Sequence, residues 1–229
     1  HKIIVQFTER YPSIRQVACF DTAFFHDLPH IAKIIPIPQK YYAAGVRRYG
    51  FHGLSYMSLL ETFRGKAGAA AVNGRVILAH LGSGASLAAT HMGKPVDTTM
   101  SFTPTSGIAM STRSGDLDPS IFSFLHQQDN MSLDEFNHMV NFQSGLLGVS
   151  NLTGDMHALL AVEANNKNAA MAIELFVRDI KTNIWGPGIF QVPTLTLLGD
   201  ISVFNLLLVF SDIFLKKLKS AKFGFLNTF

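Results

Sequence analysis

The sequence has little cysteine and little charge, and each shortage excludes a class of protein. Its single cysteine, Cys19, cannot form a disulfide within the chain, which excludes the disulfide-stapled secreted proteins. We expect Cys19 to be buried beside Phe20 as a small hydrophobe, in preference to acting as a nucleophile. Charged residues make up 15% of the 229 residues and hydrophobic residues 48%, which is a globular composition and excludes a disordered chain.

Long apolar runs and a strong excess of one charge are also missing from the sequence. The net charge of +3 is too small to indicate nucleic-acid binding by itself. The longest apolar region, 201–215, is interrupted by Asn205, Ser211 and Asp212, which argues against a membrane span. Its lysine-rich continuation predicts a solvated helix face, with a segment lying on a membrane surface as the alternative. We therefore expect a cytoplasmic protein that binds neither nucleic acid nor membrane.

A glycine-rich turn after an apolar run is the most informative feature that the sequence contains. Residues 78–86 read Leu-Ala-His-Leu-Gly-Ser-Gly-Ala-Ser, which is typical of a buried strand followed by a tight turn. Because two glycines allow close backbone approach, several N–H groups can converge there on one anion. The turn is a candidate phosphate cradle, and a purely steric role for both glycines is the alternative. The candidate residues are His80, which we expect to anchor the loop, Leu81, Gly82, Ser83 and Gly84.

Three other segments supply groups that phosphoryl transfer needs, since positioning and charge neutralisation do most of the work in that reaction. Asp21 supplies a carboxylate after a predicted buried strand at 17–20, His52 an imidazole, and Arg113 a planar fork of donors. Each has a structural alternative: a capping or loop carboxylate for Asp21, a core position for His52, and a salt bridge for Arg113. The partners that would serve such a salt bridge are Asp116 and Asp118.

Six segments, in this order, resemble the acetate kinase family, the acetate and butyrate kinases of the actin-like ATPase superfamily. The resemblance covers 17–181 and implies an α/β, actin-like ATPase (ribonuclease H-like) fold that is incomplete and mainly the C-terminal domain. Residues 1–44 would be a remnant of the N-terminal domain, and 45–229 the C-terminal nucleotide-binding domain, divergent after 182. The segments are FDTAF (20–24), GVRRYGFHG (45–53), HLGSGAS (80–86), VDTTMSFTP (96–104), TRSGDLDP (112–119) and SGLLGVS (144–150).

The same resemblance implies a phosphotransferase that converts ATP and acetate, or another short-chain carboxylate, into an acyl phosphate and ADP with Mg²⁺. It implies that His52 and Arg113 stabilise the phosphoryl group in transfer, and that Asp21 acts as an acid/base or in the magnesium network. It further implies a homodimer. The segment Asp155, Met156 and His157 falls where family members contact adenosine; because they usually have arginine in the third place, we expect weaker nucleotide binding here.

Departures from the family pattern lead us to expect an impaired kinase. The family's first-strand asparagine, substrate arginine and a further histidine precede the region that begins at His1, so we expect a truncated chain. At 198–202, Asp200 and Ser202 replace glycines of the family's adenine loop, and no metal ligand is assigned. The alternative is a non-catalytic nucleotide-binding remnant or a degenerate paralogue of the family.

Local patterns also predict individual elements around these motifs. Ser132 and Glu135 form a capping box that opens a helix to about Phe142. Residues 27–42 predict a loop with at most one helical turn because they contain three prolines. The remaining predictions are helices over 56–65, 168–183 and 206–219, strands over 75–79, 86–90 and 192–198, and turns at 92–93 and 144–148.

Overall fold

The structure, a computed structural model, describes residues 2–185 and 197–200. Within these residues four strands form one sheet in the order β3-β2-β1-β4. Strands β1 and β2 are antiparallel, as are β2 and β3, whereas β4 runs parallel to β1. The strands are β1 (Arg75–Leu81), β2 (Ala85–His91), β3 (Lys94–Thr98) and β4 (Leu197–Asp200).

Helices make up most of the remaining regular structure of residues 2–185, so the predicted mixture of helices and strands is confirmed. No helix in the described part of the chain is long and apolar enough to cross a membrane. The α-helices are α1 (Lys2–Arg10), α2 (His30–Lys33), α3 (Gln39–Ala43), α4 (Gly53–Ala67), α5 (Ala69–Asn73), α6 (Ser120–Asp129), α7 (Leu133–Phe142), α8 (Gly145–Ser150), α9 (Met156–Val162) and α10 (Lys167–Trp185), with a 3₁₀-helix at Ala23–Asp27.

Strand β1 is buried on both faces, which explains its unbroken apolar sequence. Successive side chains of a strand point to opposite faces. Accordingly, Ile77 and Ala79 belong to one hydrophobic cluster, and Val76 and Leu78 to a second. The sheet therefore separates two cores, and the predicted strands at 75–79 and 86–90 are confirmed as a hairpin.

The first core is closed by α10, whose predicted apolar stripe is confirmed except at one position. Ala172, Phe176 and Ile180 are buried, whereas Leu175, predicted for the same stripe, is half-buried. Ile173 is buried with them. Each fully buried large side chain of this kind contributes about 1.5–3 kcal/mol, so α10 is a principal source of stability for this half of the sheet.

The second core is closed by α4, again as predicted. Its Leu59, Leu60 and Phe63 are buried against β1, and the helix extends beyond the predicted range to Gly53–Ala67. Phe25 and Leu28 complete this cluster from a segment that precedes residue 45. The proposed domain boundary between residues 44 and 45 stays a prediction.

The prediction for the segment before Asp21 is wrong. Residues 17–20 form no strand; Val17 is 77% and Phe20 68% exposed, and Cys19 is exposed where a buried cysteine was expected. A strand requires a neighbour for its backbone N–H and C=O groups. Among the described residues none pairs with this segment, so its apolar sequence alone does not make a strand.

Two predicted irregular segments are helical instead. The expected turn at 144–148 is α8, because Leu146 is buried in the first core and its packing outweighs the glycines that indicate a turn. The prolines at 29 and 38 directly precede α2 and α3, which is a position where proline is tolerated, so 27–42 holds two short helices. The predicted helix 206–219 and most of the strand 192–198 lie outside the described residues.

Candidate active site

The glycine-rich turn connects β1 to β2 at one end of the sheet. It spans residues 82–84, between Leu81 and Ala85, which face each other in the hairpin register. Leu81 contributes its side chain to the first core, whereas Ser83 is exposed and Gly84 is half-buried. The core thus holds the base of the turn firmly while its tip stays accessible.

Gly84 lies against two of the predicted catalytic side chains. A Cβ atom at Gly84 would stand 3.2 Å from Nη1 of Arg113 and 3.3 Å from Nε2 of His52. A side chain at this position would therefore fill the space into which both nitrogen atoms point. The fold brings together a glycine turn, a guanidinium and an imidazole that are far apart in sequence, which is the donor set that a phosphoryl group requires.

Asp21 joins this group through the backbone at the start of α4. The N–H of His52 donates to Oδ2 of Asp21 over 2.6 Å, and the N–H of Gly53 donates to the carbonyl of Asp21 over 2.9 Å. A Cβ on Gly53 would come within 2.2 Å of that carbonyl, so only glycine allows the approach. Asp21 thus has the structural role that was the alternative in the sequence analysis, since its carboxylate accepts a backbone N–H. The same hydrogen bond places that carboxylate beside His52.

His52 adopts a left-handed backbone conformation (φ 61°, ψ 24°) at the residue that precedes α4. Its ring stacks on that of His80, with the ring centres 4.0 Å apart and the planes inclined by 27°. Its Nδ1 lies 2.8 Å from Oγ of Ser86. A non-glycine residue with positive φ is uncommon and is found most often where function or tertiary contacts require it.

The surroundings keep His52 uncharged at neutral pH. Burial lowers the pKa of His52 from its ordinary value to about 4, helped by the positive fields of His80 and Arg113 and opposed by Asp21. A neutral imidazole has one N–H donor and one acceptor nitrogen. His52 can therefore donate one hydrogen bond into the site without bringing a charge.

Within residues 2–185, neutral groups and no carboxylate hold Arg113. Its Nη1 donates to the carbonyl of Pro104 over 3.3 Å and lies 3.8 Å from Sδ of Met110. Asp116 instead accepts the N–H of Gly107, and none of the ion pairs of the described residues includes Arg113. The salt-bridge alternative is therefore not realised there, and the guanidinium charge is available to an anion.

The segment 155–157 is connected to the glycine turn through Ser111. The N–H of Ser111 donates to the carbonyl of Ser83 over 3.1 Å, and its Oγ donates to the carbonyl of Gly154 over 2.8 Å. Asp155 caps α9 by accepting the N–H of Ala158, and it is exposed like His157, whereas Met156 packs on the first core. Ser111 is thus a connecting residue that the sequence analysis missed.

The described residues do not form a resident metal centre. No group of three or more His, Cys, Asp or Glu side chains that could hold a metal ion is found in residues 2–185 and 197–200. Mg²⁺ is commonly bound through substrate phosphates with only one or two carboxylates.

A cavity of about 650 Å³ lies elsewhere, between α10 and the segment 107–116. None of the predicted site residues lines it. Its carboxylate Asp179 is engaged within the protein, since it accepts the N–H of Ala109 and pairs with Arg178 at 3.0 Å. Geometry and chemistry therefore point to the glycine turn, and not to this cavity, as the candidate active site.

Comparison with known proteins identifies the family. The model of the acetokinase family matches residues 1–188, and the chain belongs to this family. It is 45% identical to the acetate kinase of Rhodopseudomonas palustris (strain TIE-1) over 170 residues, which are 74% of this chain and 42% of that protein. It is 44% identical to the propionate kinase of Citrobacter rodentium over 180 residues, or 78% of this chain and 45% of that protein.

A solved structure gives the fold. The acetate kinase of Porphyromonas gingivalis superposes with a TM-score of 0.73 at 36% identity, over 78% of this chain and 45% of that chain. The chain therefore has the actin-like ATPase fold of these kinases, and the resemblance seen in the sequence is confirmed. It spans less than half the length of each of these relatives.

Proposed function

We propose that this chain carries the phosphoryl-binding part of a carboxylate kinase site. In the proposed reaction, a carboxylate oxygen of acetate or another short-chain acid attacks the γ-phosphorus of ATP. The bond between that phosphorus and the β–γ bridging oxygen breaks, which gives an acyl phosphate and ADP. The observation that carries the proposal is the approach of Arg113 Nη1 and His52 Nε2 to the same glycine, Gly84.

The two donors have complementary tasks. The guanidinium of Arg113 neutralises charge on the oxygens of the group in transfer, and the planar fork fixes their direction. Neutral His52 adds one hydrogen bond without competing for that charge. Since a pre-positioned donor of this kind commonly contributes 10²–10³-fold to kcat, removal of either is expected to slow transfer by roughly that factor. For Asp21 we propose an acid/base role or a contact with the ion of Mg-ATP.

The nucleotide would lie along the connected segments. We propose that His80 to Gly84 hold its phosphates through backbone N–H groups, and that Asp155 to His157 face the adenosine. Asp155 offers an exposed carboxylate for a ribose hydroxyl. His157 gives a weaker clamp than an arginine, so we expect low nucleotide affinity.

The acid substrate is proposed only as a class. The relatives are named as acetate and propionate kinases, which supports a short-chain carboxylate without fixing its length. We further propose that the protein acts in the cytoplasm as a homodimer. We assign His52 and Arg113 to the phosphoryl group, and we assign no residue of this chain to the acyl group. We therefore expect impaired turnover from the 229-residue chain.

A hydroxamate assay for acyl phosphate tests the function. Purified chain, free of host acetate kinase, is incubated with Mg-ATP and acetate or propionate. We expect little product, and any product should fall by about 10²-fold or more in Arg113→Ala. Robust turnover that Arg113→Ala abolishes would overturn the expected impairment and establish a full kinase. Turnover unaffected by Arg113→Ala would contradict the proposed site, and nucleotide binding without turnover would support the alternative of a non-catalytic binding module.

A further inference from the structure

We propose that Tyr56 and Ser86 are positioning residues that hold His52 in one tautomer, with its proton on Nε2. Neither was among the residues predicted from the sequence. The tautomer follows from hydrogen bonds within the chain alone. Only its consequence, a donor directed at a phosphoryl oxygen, rests on the proposed function.

A chain of hydrogen bonds runs from α4 to the imidazole. The Tyr56 hydroxyl bonds Oγ of Ser86. Oγ of Ser86 lies 2.8 Å from Nδ1 of His52. Tyr56 and Ser86 are both 0% exposed, so their hydroxyl groups depend on partners within the protein.

The donors and acceptors of this chain fix its direction. Ser86 is the hydrogen-bond partner that the described residues give the buried Tyr56 hydroxyl, so Tyr56 donates its hydrogen to Oγ of Ser86. Ser86 in turn donates its own hydrogen to Nδ1 of His52. Because Nδ1 accepts, a neutral His52 carries its proton on Nε2.

This tautomer points the useful atom into the site. Nε2 is the nitrogen that would stand 3.3 Å from a Cβ at Gly84, next to Nη1 of Arg113. With the proton on Nε2, both groups offer donors to the same anion. With the proton on Nδ1, a lone pair would face that anion and repel it.

Packing holds both ends of the chain in place. The Tyr56 ring lies 5.9 Å from each of the rings of Phe24 and Phe25, and the His52 ring stacks on His80. Burial also raises the pKa of the Tyr56 phenol above its ordinary value, so the hydroxyl keeps the hydrogen that it donates.

Long-range ¹H–¹⁵N NMR of the ¹⁵N-labelled full chain, without nucleotide, reads the tautomer of each histidine directly. The His52 signals are assigned by their loss in His52→Asn, a substitution that suits positive φ. We expect His52 to be predominantly protonated on Nε2. In Ser86→Ala the ratio of the Nε2-protonated to the Nδ1-protonated form of His52 should fall by about fivefold, as expected for one lost hydrogen bond. Ser58→Ala, on the exposed face of α4, should leave it unchanged.

Tyr56→Phe provides a second variant that keeps the aromatic packing, should Ser86→Ala fail to fold. It frees the Ser86 hydroxyl from its donor, so we again expect the Nδ1-protonated form to become more populated. A parent protein with His52 protonated on Nδ1, or a ratio unchanged in both variants, would overturn the proposal. This NMR experiment contains no nucleotide, so it tests the tautomer independently of ATP binding. If His52 shows the expected tautomer and the chain binds no ATP, the proposed function is contradicted and the tautomer proposal is not.

Discussion

Acidification is expected to destabilise the fold through His52, and the effect can be worked out from its surroundings. The folded chain holds the pKa of His52 at about 4, mainly by burial, with His80 and Arg113 lowering it further and Asp21 opposing them. In the unfolded chain the pKa returns to its ordinary value near 6.5. The unfolded state therefore binds the proton first, so this contribution to stability is complete above about pH 6.5 and is lost progressively as pH falls toward 4.

The size of the effect follows from the same two values. Between about pH 7.5 and pH 5, a pKa difference of this size corresponds to about 2 kcal/mol of unfolding free energy. His52 is only half-buried, so solvent screening reduces the expected effect to about 1 kcal/mol. Much of that loss should disappear in His52→Asn, because asparagine tolerates the left-handed backbone and does not titrate.

Urea unfolding followed by circular dichroism, at about pH 7.5 and about pH 5, measures this difference. The matched control is His91→Asn, which removes an exposed histidine at the end of β2 and should keep the pH dependence of the parent. If His52→Asn and the parent lose the same stability on acidification, His52 is not held neutral by the fold. The reasoning from burial would then be refuted.

Three other expectations concern binding, stability and assembly. Gly84→Ala should weaken Mg-ADP binding by about tenfold in calorimetric titration, because its Cβ would displace the donors of the site. Gly65→Ala, whose Cβ meets no neighbour, should bind like the parent, and equal affinities of the Gly84→Ala variant and the parent would exclude the phosphate cradle. Ser132→Ala should lower the unfolding free energy by about 1 kcal/mol in thermal unfolding, because α7 loses its capping box, whereas Ser123→Ala on the exposed α6 should change it negligibly. Equal changes in the two variants would show that the capping box does not stabilise α7. Light scattering after size exclusion should give a dimer or larger species, and a monodisperse species near 25.1 kDa would contradict it.

Elements whose signal is local were predictable from the sequence. The helices α4 and α10 carry apolar residues at helical spacing, and those residues are buried. The hairpin of β1 and β2 is marked by two apolar runs joined through a glycine-rich turn. The capping box at Ser132 is likewise present with both of its hydrogen bonds.

Elements that depend on distant neighbours were not predictable in this way. Val17 to Phe20 has the composition of a buried strand, but composition does not reveal whether a pairing partner exists. In the other direction, Leu146 makes a helix of a segment whose glycines indicate a turn, because tertiary burial outweighs local propensity.

The candidate site shows the same division. The motifs named Asp21, His52, Gly84 and Arg113, yet only the tertiary structure shows that Arg113 and His52 meet at Gly84. Tyr56 was missed as a functional residue because it fits the buried face of a helix. For Ser86 a signal was available, namely a hydroxyl among the apolar residues that begin β2.

³¹P NMR of ATP and Mg²⁺, titrated with the full chain, tests most directly whether Arg113 and the glycine turn bind phosphoryl groups. We predict that the γ-phosphate resonance broadens or shifts with the parent chain and that Arg113→Ala largely abolishes this change. Arg64→Ala, which removes an exposed arginine on α4, should respond like the parent. An unaltered γ-phosphate resonance with the parent chain, or an equal response from Arg113→Ala, would contradict the assignment of this site.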